Sequence, residues 1–137
     1  MAKQISKVEY YSIMIPNKTG EGARLLRTFS DAGVDLIGLW GYPKGAGKAQ
    51  IDIVPADIKV FAAVAKKAKI KSGKRLAGFL LQAEDKVGAG LDVFEKLAAA
   101  KINVRAVQAT SAGCGSFGMF LQVDAKDVRK AAKALGA

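Results

Sequence analysis

The apolar positions along the chain switch between two periods, and the order of the switches predicts the elements. Tyr11, Ile13 and Ile15 alternate with Tyr10, Ser12 and Met14, a period of two that predicts a strand. From Ala23 the period lengthens. Ala23, Leu26 and Phe29, with Leu25 and Ala32 beside them, form one stripe of an amphipathic helix that Gly33 ends. Val34 to Trp40 predicts a second strand, Gly41–Gly47 a hairpin turn and Ala49–Val54 a third strand. Val60, Phe61, Val64 and Ala68 mark a second helix.

The same order then recurs. An offset of 68 lays Gly20 on Gly88, Asn17–Gly22 on Asp85–Gly90, and Gly45-Ala46-Gly47 on Gly113-Cys114-Gly115. Val60 and Ala63 meet Val128 and Ala131. In the second copy Phe79, Leu81 and Ala83 share a strand face, and Leu91, Phe94, Leu97 and Ala98 form the helix stripe. Ile102–Val107 and Phe117–Val123 are its further strands, and Val128, Ala131, Ala132 and Leu135 its second helix. Two copies of β-α-β-β-α predict an α+β fold of two ferredoxin-like units with antiparallel sheets, residues 1–72 and 73–137. Their fourth strands are short, shared or missing. Ile70–Gln82 reads as one long strand that finishes the first unit and starts the second. The second unit then has an open edge, which invites the N-terminal segment around Ile5 or a second chain.

Composition narrows the chemistry. With one cysteine and no histidine in 137 residues, an internal disulfide, a His-based triad and the usual zinc sites are excluded. No pair of carboxylates has a context for acid/base catalysis, so the chain reads as non-enzymatic, with no cofactor. No apolar stretch approaches the roughly 20 residues of a spanning helix, which predicts a soluble, cytoplasmic protein. Apolar residues on the second sheet face (Ile37, Leu39, Val107, Phe120) predict a homodimer or packed units that cover them.

The strand-to-helix loops carry the candidate site. The first turn of a helix leaves N–H groups unpaired at a partly positive end, so Thr19–Gly22 and Val87–Gly90 suit a small carboxylate. Asn17 and Asp85 precede those turns, as helix caps or as partners for an ammonium group; Asp35 and Asn103 open the second strands at matching positions. Glu84 beside Asp85 repels a carboxylate, which favours the first loop.

These residues resemble the ACT domain family of small-molecule sensors. The first copy has Ile15-Pro16-Asn17-Lys18-Thr19-Gly20 and then Ala32-Gly33-Val34-Asp35-Leu36-Ile37; the second has Ala83-Glu84-Asp85-Lys86-Val87-Gly88 and then Ala100-Lys101-Ile102-Asn103-Val104. Thr19 and Val87 stand where the family usually has proline, and Asp35 where it has asparagine. The resemblance implies a free-standing tandem ACT protein that binds an amino acid or similar zwitterion at an interface between units. It implies a ligand site at Asn17, Lys18, Thr19, Gly20, Asp35 and Leu36, with Asp85, Gly88, Asn103 and Val104 as the second set. The implied partners are the amino acid, a second copy of the chain, and a regulated enzyme or transporter.

Charge supplies the rival class. The 22 basic and 12 acidic side chains leave a formal charge of +10, and Lys66, Lys67, Lys69, Lys71, Lys74 and Arg75 place six cations in ten residues with no acid among them. A basic ferredoxin-like sheet suits RNA when exposed aromatics stack the bases. Only Tyr10 and Phe120 are expected on such faces, one per copy, so nucleic acid ranks behind the sensor reading; the run itself reads as the solvated end of the second helix. Gly41–Ala49 has the wrong spacing for a phosphate loop, Cys114 reads as a passive thiol, and Trp40 reads as a packing residue.

Overall fold

Strand β1 runs from Gln4 to Pro16, and its 13 residues serve two structural units. The structure is a computed structural model and describes residues 3–137. One unit comprises Glu9–Leu76; the other joins the start of β1, up to Val8, to Ala77–Ala137. The expected division between residues 72 and 73 cut neither β1 nor the chain at Leu76.

In the N-terminal unit β1 is followed by α1 (Glu21–Asp31), β2 (Leu36–Gly45), β3 (Lys48–Pro55) and α2 (Ile58–Lys67). The strands are antiparallel in the order β2-β3-β1, with Ile53 opposite both Tyr11 and Leu39. Alternation puts Tyr11, Ile13 and Ile53 on one sheet face, where Leu25 and Phe29 of α1 and Phe61 and Ala65 of α2 meet them. Each helix thus contributes an i, i+4 pair. The Phe61 ring stacks on Phe29 at 4.3 Å and on Tyr11 at 5.5 Å between centroids. Asp57 caps α2, its carboxylate accepting from the Lys59 and Val60 N–H groups.

After α2 the chain departs from the expected long strand. Lys69 (φ 58°) and Gly73 (φ 67°) lie in the left-handed region, which no strand tolerates. The turn at Lys69 instead returns Ile70 to the core, its N–H donating to the Ala65 carbonyl. Strand β4 therefore begins only at Leu76 and runs to Glu84. Arg75, just before it, pairs with Glu9 at 3.6 Å. A hydrogen bond with the Tyr11 hydroxyl, and then the charge of Glu9, raise the Arg75 pKa above its ordinary value.

The C-terminal unit continues with α3 (Leu91–Ala99), β5 (Val104–Gly113), β6 (Ser116–Val123), a single 3-10 turn (Ala125–Asp127) and α4 (Val128–Leu135). Its antiparallel strands run β4-β6-β5, and β1 lies beside β4. The N-terminal segment fills the open edge: Ile5 packs against the core of Phe79, Leu81, Leu97, Leu121 and Leu135, and the Lys3 ammonium pairs with Asp92.

The repeat is visible in the backbone. Gly45-Ala46-Gly47 and Gly113-Cys114-Gly115 all have positive φ, so both hairpins turn in the same way. Gly33 and Lys101, 68 apart, also share the left-handed conformation after their helices. The helix stripe needs correction, however. The buried residues of α3 are Val93 and Leu97, the equivalents of Leu25 and Phe29, whereas Leu91 and Phe94 are exposed. α3 is apolar over more than one face, and periodicity alone left two choices.

A second correction concerns the sheet face away from the helices. Tyr10 and Phe120, expected exposed, are each 5% exposed. Phe120 closes over Gly78, where an added Cβ would stand 2.7 Å from the ring. On the same face of the N-terminal unit Asp52 is 1% exposed.

Candidate functional site

The Asn17 loop is shaped by a hydrogen bond from the Asn17 N–H to the Gly47 carbonyl, which ties it to the β2–β3 hairpin. Asp85 makes the equivalent bond to the Gly115 carbonyl. Beyond those anchors the copies diverge. In the first, Gly20 (φ 89°) is the N-cap and α1 starts at Glu21. In the second, Gly88 (φ 79°) turns the chain, but Gly90 (φ 88°) turns it again, and α3 starts only at Leu91. Gly22 and Gly90 are repeat equivalents, yet one lies inside a helix and the other caps one. Only a residue without Cβ adopts both states at little cost.

Neither Asn17 nor Asp85 caps a helix, since both N-cap positions are glycines with no side-chain hydrogen bond. Asp85 is instead held by Ser111, whose Oγ donates to Oδ2 at 2.6 Å. The repeat equivalent of Ser111 is Pro43, which has no donor, and the exposed Asn17 side chain makes no hydrogen bond with the described residues. Lys18 and Thr19 are exposed beside it.

Asp35 and Leu36 lie at the other end of α1 from that loop. Eleven helical residues separate the two, a rise of about 16 Å. Here Val34, whose N–H donates to the Phe29 carbonyl, anchors the turn into β2, and the Asp35 carbonyl accepts from Ala56. The Asp35 side chain is exposed. It lines a crevice of about 620 Å3 together with Leu26 and Ser30 of α1 and Leu36, Ile37 and Leu39 of β2. The crevice is shallow and open to solvent on its outer side. β2 is the edge strand of its unit, so its outer backbone groups border the crevice.

The second set is divided in the same way. Gly88 lines a crevice of about 400 Å3 with Lys3, Glu84, Lys86, Asp92 and Glu95. Asn103 is exposed and Val104 half-buried at the start of β5, outside that crevice. Three carboxylates beside two ammonium groups make it a poorer receptor for a carboxylate than the first loop.

Sequence reasoning missed one constellation. Ser12 and Gln50 both donate to Asp52 Oδ1, at 2.5 and 2.9 Å, and Gln50 also donates to the Tyr42 hydroxyl at 3.0 Å. Register explains it: Ser12 and Trp40 flank Asp52 across the ladders, and Tyr42 faces Gln50. The available signal was Gln50-Ile51-Asp52-Ile53, polar residues alternating with core residues. At the equivalent positions the second unit has Leu80, Gly118 and Phe120, so this cluster is absent from it. Among the described residues no group of three or more acidic or cysteine side chains is placed to hold a metal ion, and no helix is long and apolar enough to cross a membrane.

No family model matches the chain, and no curated protein does. Solved structures do. Protein BT0572 from Bacteroides thetaiotaomicron is similar over 96% of this chain and 88% of its own, with a TM-score of 0.76 at 13% identity. The ligand-free regulatory subunit of aspartate kinase from Thermus thermophilus is similar over 98% and 94%, with a TM-score of 0.63 at 13% identity. The aspartokinase alpha and beta subunits give 98% and 95%, 0.62 and 17%. At these identities the likeness is one of fold: an α+β chain with antiparallel strands and four helices, folded like the regulatory subunits of aspartate kinase, which supports an ACT-like architecture.

Proposed function

We propose that the protein is a non-enzymatic regulatory sensor, built from two ferredoxin-like ACT-type units, that binds an amino acid or similar small zwitterion. The observation that carries the reading is the crevice at Asp35. It opens at the segment Ala32–Ile37, on which the family resemblance rests, and it joins a carboxylate to apolar walls. Asp35 would take the ligand's ammonium group, Ser30 would offer a hydroxyl, and Leu26, Ile37 and Leu39 would meet its side chain.

The crevice lining has no cationic side chain to set against the ligand's carboxylate, which would need further donors. The amides of Thr19 and Gly20 are such donors, the Lys18 N–H being bonded to the Pro16 carbonyl, but they lie at the far end of α1. A second copy of the chain, laid antiparallel along α1 and the β2 edge, would bring its own loop to this Asp35. The same arrangement would cover Ile37 and Leu39, which are about half exposed. A ligand shared by two copies stabilises one arrangement over another, and a regulated enzyme or transporter would read that shift. The Thermus thermophilus neighbour is itself the regulatory subunit of an enzyme, aspartate kinase.

The test is a thermal-shift screen of the twenty common amino acids, followed by calorimetry on any that stabilise. A true ligand at about 100 times its Kd adds about 2.7 kcal/mol to stability. The reading also requires that ligand to strengthen a dimer in sedimentation. Flat melting curves with all twenty would end it, and binding that Asp35→Asn leaves intact would remove the site from this crevice.

A further inference from the structure

The second helix of each unit carries cations and no anions. On α2 the charged residues are Lys59, Lys66 and Lys67; on α4 they are Arg129, Lys130 and Lys133. The first helices carry both signs, with Glu21, Arg24, Arg27 and Asp31 on α1 and Asp92, Glu95 and Lys96 on α3. In the N-terminal unit the cationic surface continues past α2 through Lys69, Lys71 and Lys74. All five lysines from Lys66 to Lys74 are exposed, and none is in an ion pair with a described residue, whereas Arg75 pairs with Glu9. The segment is nevertheless held in place, because Ile70 is packed in the core and Lys69 and Gly73 fix the turns. Five unpaired ammonium groups on an anchored segment repel one another, and a polyanion relieves that repulsion.

We infer that Lys66–Lys74 is a docking surface for the phosphate backbone of a nucleic acid duplex. The alternatives each need something the surface does not have. Single-stranded RNA needs aromatic rings beside the cations for its bases, and Lys66–Lys74 contains none, while Tyr10 and Phe120 on the sheet are buried. An anionic membrane holds a basic cluster more firmly where apolar residues insert beside it, and a protein interface is centred on its more apolar core. The segment's only large apolar residue, Ile70, faces the core, and Val60 lies on the first turn of α2. A duplex backbone needs only cations. The lysines are point charges rather than bidentate forks, so they hold phosphate without reading base sequence.

The experiment is fluorescence anisotropy of a labelled DNA duplex of about 20 base pairs, titrated with the full chain at salt concentrations from about 50 to about 200 mM. Four or five phosphate contacts predict a slope of log K against log salt of about −3.6 to −4.5, with little dependence on base sequence. Replacing Lys66, Lys67, Lys69, Lys71 and Lys74 by Gln removes at least about tenfold of the affinity at the lowest salt. A control with Lys7, Lys44, Lys48, Lys86 and Lys101 replaced by Gln has the same net charge and loses no more than about threefold. Circular dichroism confirms that both variants fold. Absence of binding at the lowest salt, or equal loss in the two variants, overturns the inference. So does tighter binding to poly-glutamate, to phosphatidylserine vesicles or to a single strand of the same length.

Discussion

Ser111 Oγ donates a 2.6 Å hydrogen bond to Asp85 Oδ2, which commits the second loop's carboxylate to its own hairpin. Asn17, at the matching point of the first copy, has no such tie. The duplicated loops are therefore unequal as receptors. With Asp35 as the ammonium partner, Asp35→Asn should lower amino acid affinity about tenfold or more, the usual scale for losing a charge-assisted hydrogen bond. Asp85→Asn should change it less than about twofold. Calorimetry of the two variants decides the matter, and the reverse ranking would move the site to the second unit.

The Asp52 cluster gives a prediction about stability. Its carboxylate is 1% exposed and accepts from Ser12 and Gln50. Asp52→Ala takes the acceptor from the half-buried Ser12 hydroxyl and one of the acceptors from Gln50, at a cost of about 1–3 kcal/mol in urea unfolding. Ser12→Ala together with Asp52→Ala should cost less than the sum of the single changes, because the orphaned donor goes with the acceptor. Strict additivity would mean that the two side chains do not depend on each other.

Periodicity and the repeat made most of the architecture legible. The offset of 68 read from glycines and apolar residues is the offset at which Gly33 matches Lys101 and the two hairpins coincide. Two things were hidden. Which apolar arc of α3 faces the sheet is a matter of packing, and Leu91 and Phe94 fit the helical period as well as Val93 does. The turn at Lys69 was hidden too, because a lysine carries no sign that its backbone is left-handed. The candidate site was legible in part. The sequence singled out Asp35 and the Asn17 loop as candidates, but a linear motif does not tell that α1 holds the two about 16 Å apart.

Gly78 tests how tightly the second sheet face is packed. An added Cβ there meets the Phe120 ring at 2.7 Å and the Leu121 carbonyl oxygen at 3.0 Å, and neither yields easily. Gly78→Ala should destabilise the protein by about 1–3 kcal/mol. Gly118→Ala, with nothing within 4 Å, should be neutral or stabilise by up to about 1 kcal/mol. Phe120→Leu should recover part of the Gly78→Ala loss if the ring is the obstacle. Equal midpoints for Gly78→Ala and Gly118→Ala in thermal melts would remove the close packing from the account.

The start of β1 belongs with the C-terminal unit although it stands at the other end of the sequence. Ile5 packs on that unit's core, and Lys3 pairs with Asp92 at the first turn of α3. A chain lacking residues 1–8 should therefore lose stability in the C-terminal unit first, by more than the half-buried Ile5 side chain alone contributes, about 1 kcal/mol. Trp40 is the only tryptophan and lies on β2 of the N-terminal unit, so its fluorescence reports on that unit, while far-UV circular dichroism reports on both. The shortened chain should show an early circular dichroism transition with the Trp40 transition nearly unmoved. Ile5→Ala in the full chain should separate the two probes in the same direction by a smaller amount, because it removes the packing and keeps the strand. If both probes shift together in both variants, the first strand is not a private element of the C-terminal unit.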